Sequence, residues 1–410
     1  MMNKEQEYHI ATLGNGLRMV AQKLEGQVSY IGIVVRAGSR NEDSEHEGLA
    51  HFVEHTLFKG TRCRKSRHIS CRMEEIGGEL NAYTTKEETM IYTNAPVGHV
   101  ERAVELIADL VKNSNFPLEE IEKERDVIIE EIHSYEDSPS ESVYDEFEEL
   151  IYKGSPLAHN ILGSPDSVRR LTPEDARGFI DRHYTPKEMV VYCCDPGDPE
   201  KNIRLVEKYL GDLSFPSILR DDVPIPPPEA FNEVRERDAH QANTIVGTRL
   251  FSRNDPRRHA MFLLNNWLGG PCMNSRLNME LREKRGLVYT VESNVSLLSD
   301  AGTMTIYFAT DPKAVDKCLR IIHKEIEKAA TSLMTDRQFA RIRNQYLGQL
   351  IVGTDQRESR CMALAKSLLY FGRINDISWA SERIRAVSPE DFREMARLIL
   401  DSGLNRLTLI

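Results

Sequence analysis

His51, Glu54 and His55 stand together in the run GLAHFVEHTLFKG, residues 48–60. On a helix, positions i, i+3 and i+4 share one face, so the two imidazoles and the carboxylate project side by side. Leu49, Phe52, Val53 and Leu57 are then left for packing. Two imidazoles at i and i+4 can hold one Zn²⁺, with the carboxylate beside water on the metal. The order H-x-x-E-H is the reverse of the commoner H-E-x-x-H helix. A third ligand is needed, and the run IEKERDVIIEEI (121–132) offers Glu124 and Glu131, seven apart and on one face of two helical turns. Most carboxylates in so charged a helix are solvated, and spacing alone does not choose among Glu124, Glu130 and Glu131.

These side chains need a scaffold of sheets and helices. Residues 30–37, 90–94, 244–249 and 302–309 are rich in β-branched or aromatic types and read as strands. Residues 101–113 carry apolar side chains at the helical period, and a second helix opens at Pro117 with acidic residues in its first turn and runs to about Tyr135. Residues 316–329 and 335–351 behave likewise. Between the two sets lies FPSILRDDVPIPPPEAF (215–231), with five prolines that stop both helix and central strand. The expectation is an α+β chain of two similar domains, each an antiparallel or mixed sheet packed with helices. The first, 1–218, binds zinc; 219–231 link it to a second homologous domain, 232–410.

Composition narrows the setting. The 410 residues are 40% hydrophobic and 29% charged, as in folded globular proteins. No apolar run approaches the roughly 18 residues of a membrane helix. Residues 1–220 hold 26 Lys/Arg against 40 Asp/Glu, an acidic half that disfavours nucleic acid as a ligand. The seven cysteines contain no C-x-x-C pair, and the start MMNKEQEYHI lacks a secretory or transit pattern. A cytoplasmic protein with reduced thiols is expected, with neither nucleic acid nor membrane as partner.

His51-x-x-Glu54-His55, followed 76 residues after His55 by Glu131, resembles the inverted zinc peptidases, the family of pitrilysin, insulin-degrading enzyme and mitochondrial processing peptidase. The resemblance extends over nearly the whole chain: LGNGLRMV, AGSRNE before the motif, FKGT after it, GGELNAYTTKEET at 77–89, the stretch 156–191, and NSRLNMELREKRGLVYTVES at 274–293. It implies one Zn²⁺ per chain held by His51, His55 and Glu131, with Glu54 as general base and Glu124 supporting the ligands. It implies that Arg282 and Tyr289 contact substrate near the scissile bond. It also implies that Gly78, Leu80, Asn81 and Ala82 belong to an exposed sheet edge where a peptide adds by backbone hydrogen bonds. Read without it, Arg282 is a solvated helix charge, Tyr289 a strand aromatic, and GGELNAYTT an ordinary hairpin.

The activity so implied is hydrolysis of unfolded peptides or small proteins by a zinc metalloendopeptidase. Pitrilysin is twice as long, and the non-catalytic mitochondrial subunit has a long glycine-rich loop where only Gly269-Gly270-Pro271 stands here. A half-size, bacterial-type homodimer fits, with Arg282 and Tyr289 serving the partner's zinc site. The alternative is a non-catalytic or partner-dependent subunit of a heteromeric complex.

Overall fold

The computed structural model describes residues 8–215, 223–237, 239–332 and 334–410. Two sheets organise it. The first contains β1 (Tyr8–Thr12), β2 (Arg18–Lys23), β3 (Val28–Val35), β4 (Glu79–Thr84), β5 (Thr89–Pro96) and β6 (Met189–Asp195), in the order β1-β2-β6-β3-β5-β4. All its pairings are antiparallel except β2 with β6. The second contains β7 (Asn232–Arg235), β8 (Ala242–Leu250), β9 (Val288–Leu297), β10 (Gly302–Thr310) and β11 (Asn405–Leu409), in the order β7-β11-β8-β10-β9. Only β7 with β11 is parallel. Laid over one another, the orders β2-β6-β3-β5-β4 and β7-β11-β8-β10-β9 match strand for strand, the internal duplication expected of two similar α+β domains.

Periodicity located the elements well. The helices expected at 101–113, 117–135, 316–329 and 335–351 are Val100–Asn113, Leu118–Glu136, Val315–Thr331 and Asp336–Gly353. The four strand runs are β3, β5, β8 and β10.

The compact units do not follow the contiguous division at 1–218 and 232–410. The first comprises Met1–Ile132, His159–Val223 and Thr354–Asn375; the second comprises His133–Ala158, Pro224–Gly353 and Asp376–Ile410. The physical reason is that both sheets are apolar on both faces. Every residue of β6 is buried, and so are Ile31 to Val35 of β3, so each face needs a cover. In the first unit one face packs on the helices that hold Phe52, Val53, Ile107 and Leu110. Its other face, with Val20, Val34 and Tyr192, is covered by Cys361, Leu364 and Leu368 of the helix Arg357–Phe371, which comes from the second half of the chain. In the second unit Ile245, Tyr307 and Leu407 are covered by Val143, Phe147 and Ile151 of the helix Pro139–Ile151, from the first half. Of the proline-rich linker, 216–222 lie outside the described residues, and 223–231 carry no regular secondary structure.

Candidate active site

The motif residues ride on the helix Leu49–Leu57, whose entry is tightly specified. Gly48 has φ +88, a left-handed conformation natural to glycine. A Cβ there would sit 2.6 Å from the Leu162 carbonyl oxygen and 2.9 Å from the Gly163 Cα. No side chain of Gly48 can cap the helix, and buried Glu42 does so instead. Its Oε2 accepts from the Gly48 N–H at 2.9 Å and its Oε1 from the Ala50 N–H at 2.7 Å. Burial pushes the Glu42 carboxyl well up, against the pull of these two donors and of Lys86.

His51, Glu54 and His55 share the face expected of them. Among the described residues, His51, His55 and Glu131 form the one group of three metal-type donors whose ligand atoms all lie within 4.8 Å of one another. Glu131 Oε2 is 3.7 Å from His51 Nε2 and 3.5 Å from His55 Nε2. Tetrahedral Zn²⁺ with N and O ligands at about 2.0–2.2 Å sets its donors about 3.4 Å apart, so the group fits that ion. Burial, then the neighbouring His55, pushes His51 down to about 3, which keeps its imidazole neutral as a ligand must be. Glu130 does not join the group.

Glu124 stands behind the donors. Its Oε1 is 2.9 Å from His55 Nδ1 and its Oε2 is 2.5 Å from Lys59 Nζ. This carboxylate accepts a hydrogen bond from His55 Nδ1–H, which leaves the Nε2 lone pair on the side of Glu131, the usual support of a ligating histidine. Burial works to raise Glu124 and to lower His55. Burial is the largest single influence on each, but their shared bond outweighs it together with Lys59 for Glu124 and with Glu54 and Glu131 for His55, so Glu124 falls and His55 rises from their ordinary values.

Glu54 lies outside the donor group. Its Oε2 accepts a 2.7 Å hydrogen bond from Thr84 Oγ1, and burial raises its carboxyl against that bond. Thr84 ends β4, which among the described residues pairs with β5 alone and is an edge of its sheet. Leu80, Asn81 and Ala82 lie along this edge, with Asn81 exposed. Gly78 enters it where a Cβ would stand 2.7 Å from the Asn94 carbonyl oxygen.

Arg282 and Tyr289 belong to the second unit and are brought together there. Arg282 sits in the π-helical turn Asn278–Glu283, closed by Lys284 N–H donating to Met279 O at 3.0 Å, a widening often found at functional sites. Its guanidinium lies 5.5 Å from the ring centre of Tyr289, which is 78% exposed on edge strand β9. Sequence reasoning missed Glu42, Lys59 and Thr84. Each lay inside a run already singled out (AGSRNE, FKGT, NAYTT), but its role depends on a partner distant in the chain.

The inverted histidine pair and the distal glutamate come together as a group that could hold a metal ion, with a further carboxylate outside it, on a duplicated sheet-and-helix fold. Residues 18–165 match the family described as insulinase (peptidase family M16), and residues 170–346 match the peptidase M16 inactive domain. The chain belongs to peptidase family M16 and is a zinc metalloprotease of that family. It is similar to an uncharacterized zinc protease of Streptomyces coelicolor, at 34% identity over 95% of this chain and 86% of that one. It is similar also to a probable mitochondrial-processing peptidase subunit beta of Arabidopsis thaliana, at 30% identity over 95% of this chain and 76% of that one. Among solved structures, a protease from Helicobacter pylori shares the fold, with TM-score 0.90 at 22% identity over 99% of this chain and all of that one. No helix among the described residues is long and apolar enough to cross a membrane.

Proposed function

We propose that the chain is an endopeptidase that hydrolyses unfolded peptides and small proteins at one zinc site per chain, formed by His51, His55 and Glu131. The observation that carries this reading is the convergence of those three donors with Glu54 close by and unligated. A zinc ion held there supplies Lewis acidity to the scissile carbonyl and acidifies the attacking water. Glu54 accepts the proton as the water oxygen bonds to the carbonyl carbon. It then delivers that proton to the amide nitrogen as the C–N bond breaks. The free edge of β4 receives the peptide backbone as an added strand, with Gly78, Leu80, Asn81 and Ala82 along it, so extension matters more than side-chain identity.

Arg282 and Tyr289 steady the developing oxyanion or the substrate backbone, and they do so for the zinc site of a second copy in a homodimer. The exposure of Tyr289 and its pairing with Arg282 support a role at a surface that another group covers. A cytoplasmic setting is supported by seven cysteines that are all free of disulfides. Retention of every motif residue weighs against a non-catalytic subunit.

The test is cleavage of an unstructured peptide by the chain alone, before and after zinc is chelated and restored. Loss on chelation and recovery with zinc is expected; metal-independent cleavage overturns the reading. Mixing inactive Glu54→Gln with inactive Tyr289→Phe protein, with subunit exchange tracked by a tag, tests the shared site. Mixed dimers recover activity at one site if the tyrosine serves its partner, and exchange without recovery refutes that arrangement.

A further inference from the structure

We infer that Thr84 is a positioning residue for hydrolysis, aiming Glu54 from the strand that receives the peptide; this rests on the reading of Glu54 as the base. Among the described residues, the Thr84 hydroxyl is the one hydrogen-bond donor to the Glu54 carboxylate, at 2.7 Å. The bond occupies Oε2 and leaves Oε1 to take a proton. Alternation along β4 puts Leu80, Ala82 and Thr84 on one face. Leu80 and Ala82 on that face pack against the core that holds Phe52 and Val53 of the motif helix. The base therefore hangs between two elements: its own helix carries its backbone, and β4 fixes its head.

The end of β4 is an unusually firm place from which to aim a side chain. Thr84 pairs with Thr89, and the intervening turn is closed by Thr85 N–H donating to Glu88 O at 2.8 Å. Thr85 Oγ1 accepts from the N–H groups of Glu87 and Glu88. The turn is also held from outside, by Ser39 and Arg40 N–H groups donating to the carbonyls of Thr85 and Lys86 at 3.2 and 2.8 Å. Lys86, Glu87 and Glu88 are all buried, and each charge has a partner. Lys86 donates to the His159 carbonyl, Glu87 pairs with Arg40 at 2.7 Å, and Glu88 is held by Lys366 and by the Tyr370 hydroxyl. A solvent-exposed hairpin needs none of this. The network makes sense if the position of Thr84 matters to better than an ångström, the scale at which misplacing a reacting group costs about 10²-fold in rate.

Because the amides of β4 are untouched by a change in the Thr84 side chain, the inference separates chemistry from binding. Thr84→Val keeps the shape and removes the hydroxyl; Thr84→Ser keeps the hydroxyl and removes the methyl. Three quantities are read on each: zinc content, affinity for a fluorescein-labelled unstructured peptide in the zinc-free protein, and kcat and KM for its cleavage. The expected result is a kcat lowered about 10–10²-fold in Thr84→Val, with KM, zinc-free affinity and zinc content within about twofold of wild type. Thr84→Ser recovers kcat to within about threefold. The inference is overturned if Thr84→Val keeps wild-type kcat, if the loss falls in KM and peptide affinity, if zinc is lost, or if Thr84→Ser is as slow as Thr84→Val. Glu54→Gln is measured alongside. If it retains the wild-type rate, the assignment of the base falls and this inference with it; if it is inactive while Thr84→Val is not, only the role of Thr84 is refuted.

Discussion

Replacing Glu124 by Gln tests the support behind the metal ligands. In the native site one carboxylate oxygen accepts a 2.9 Å hydrogen bond from His55 Nδ1 and the other faces the Lys59 ammonium at 2.5 Å. In Glu124→Gln the new amide could still accept from His55 through its carbonyl. Its NH₂ would then point at Lys59, donor against cation, and the negative charge that strengthens the His55 lone pair would be gone. Removing such a support typically weakens metal binding about 10–10²-fold, equivalent to about 1.4–2.8 kcal/mol. Near-complete burial of the Glu124 side chain, 10% exposed, puts the expected loss in the upper part of that range. Lys59→Met leaves the His55 bond in place and should cost less than about fivefold. The assay is competition for zinc against a chromogenic chelator at constant pH. A Glu124→Gln affinity within twofold of wild type, or a larger loss in Lys59→Met, would refute this reasoning.

Three other outcomes follow from the same geometry. Gly48→Ala forces a left-handed alanine against the backbone of Leu162 and Gly163, costing at least about 2–3 kcal/mol; the thermal midpoint should fall by about 5 °C or more, and an unchanged midpoint contradicts the account. A peptide N-methylated at the amides flanking the scissile bond should bind far more weakly than the plain peptide, because the ladder bonds to β4 are lost; equal affinity would point to side-chain pockets. His259, pushed down to about 4 by burial and by Arg258 and Arg383, is neutral in the fold but takes a proton near its ordinary 6.5 when unfolded. Its contribution to stability is therefore present above that value and lost as pH falls from about 6.5 towards 4. His259→Gln should flatten the decline of the thermal midpoint across that interval, and an unchanged slope would contradict the sign.

Local pattern carried the fold a long way. Apolar periodicity placed Val100–Asn113 and Val315–Thr331 within a residue or two, because each buries one stripe against its own sheet. It could not reveal that Arg357–Phe371 covers β2, β3 and β6, since a helix face records that it is buried and not which sheet buries it. At the site, His51, Glu54 and His55 were legible because one helical turn brings them together. Glu131 was separable from Glu124 and Glu130 only by resemblance, as spacing along a charged helix does not say which carboxylate meets a distant imidazole. Glu42 and Thr84 were illegible as partners because their bonds to the motif helix cross 8 and 30 residues of chain.

In the proposed mechanism His51, His55 and Glu131 hold zinc while Glu54 moves the proton. The most direct measurement is zinc content and peptide hydrolysis on the same preparation of Glu54→Gln. Gln keeps the size and the Thr84 contact but cannot take a proton. Zinc at the wild-type level is expected, with hydrolysis lowered by about 10²–10⁴, the usual contribution of general acid–base catalysis, or more. Loss of zinc would make Glu54 a ligand, and retention of the wild-type rate would remove it from the chemistry; either result contradicts the account.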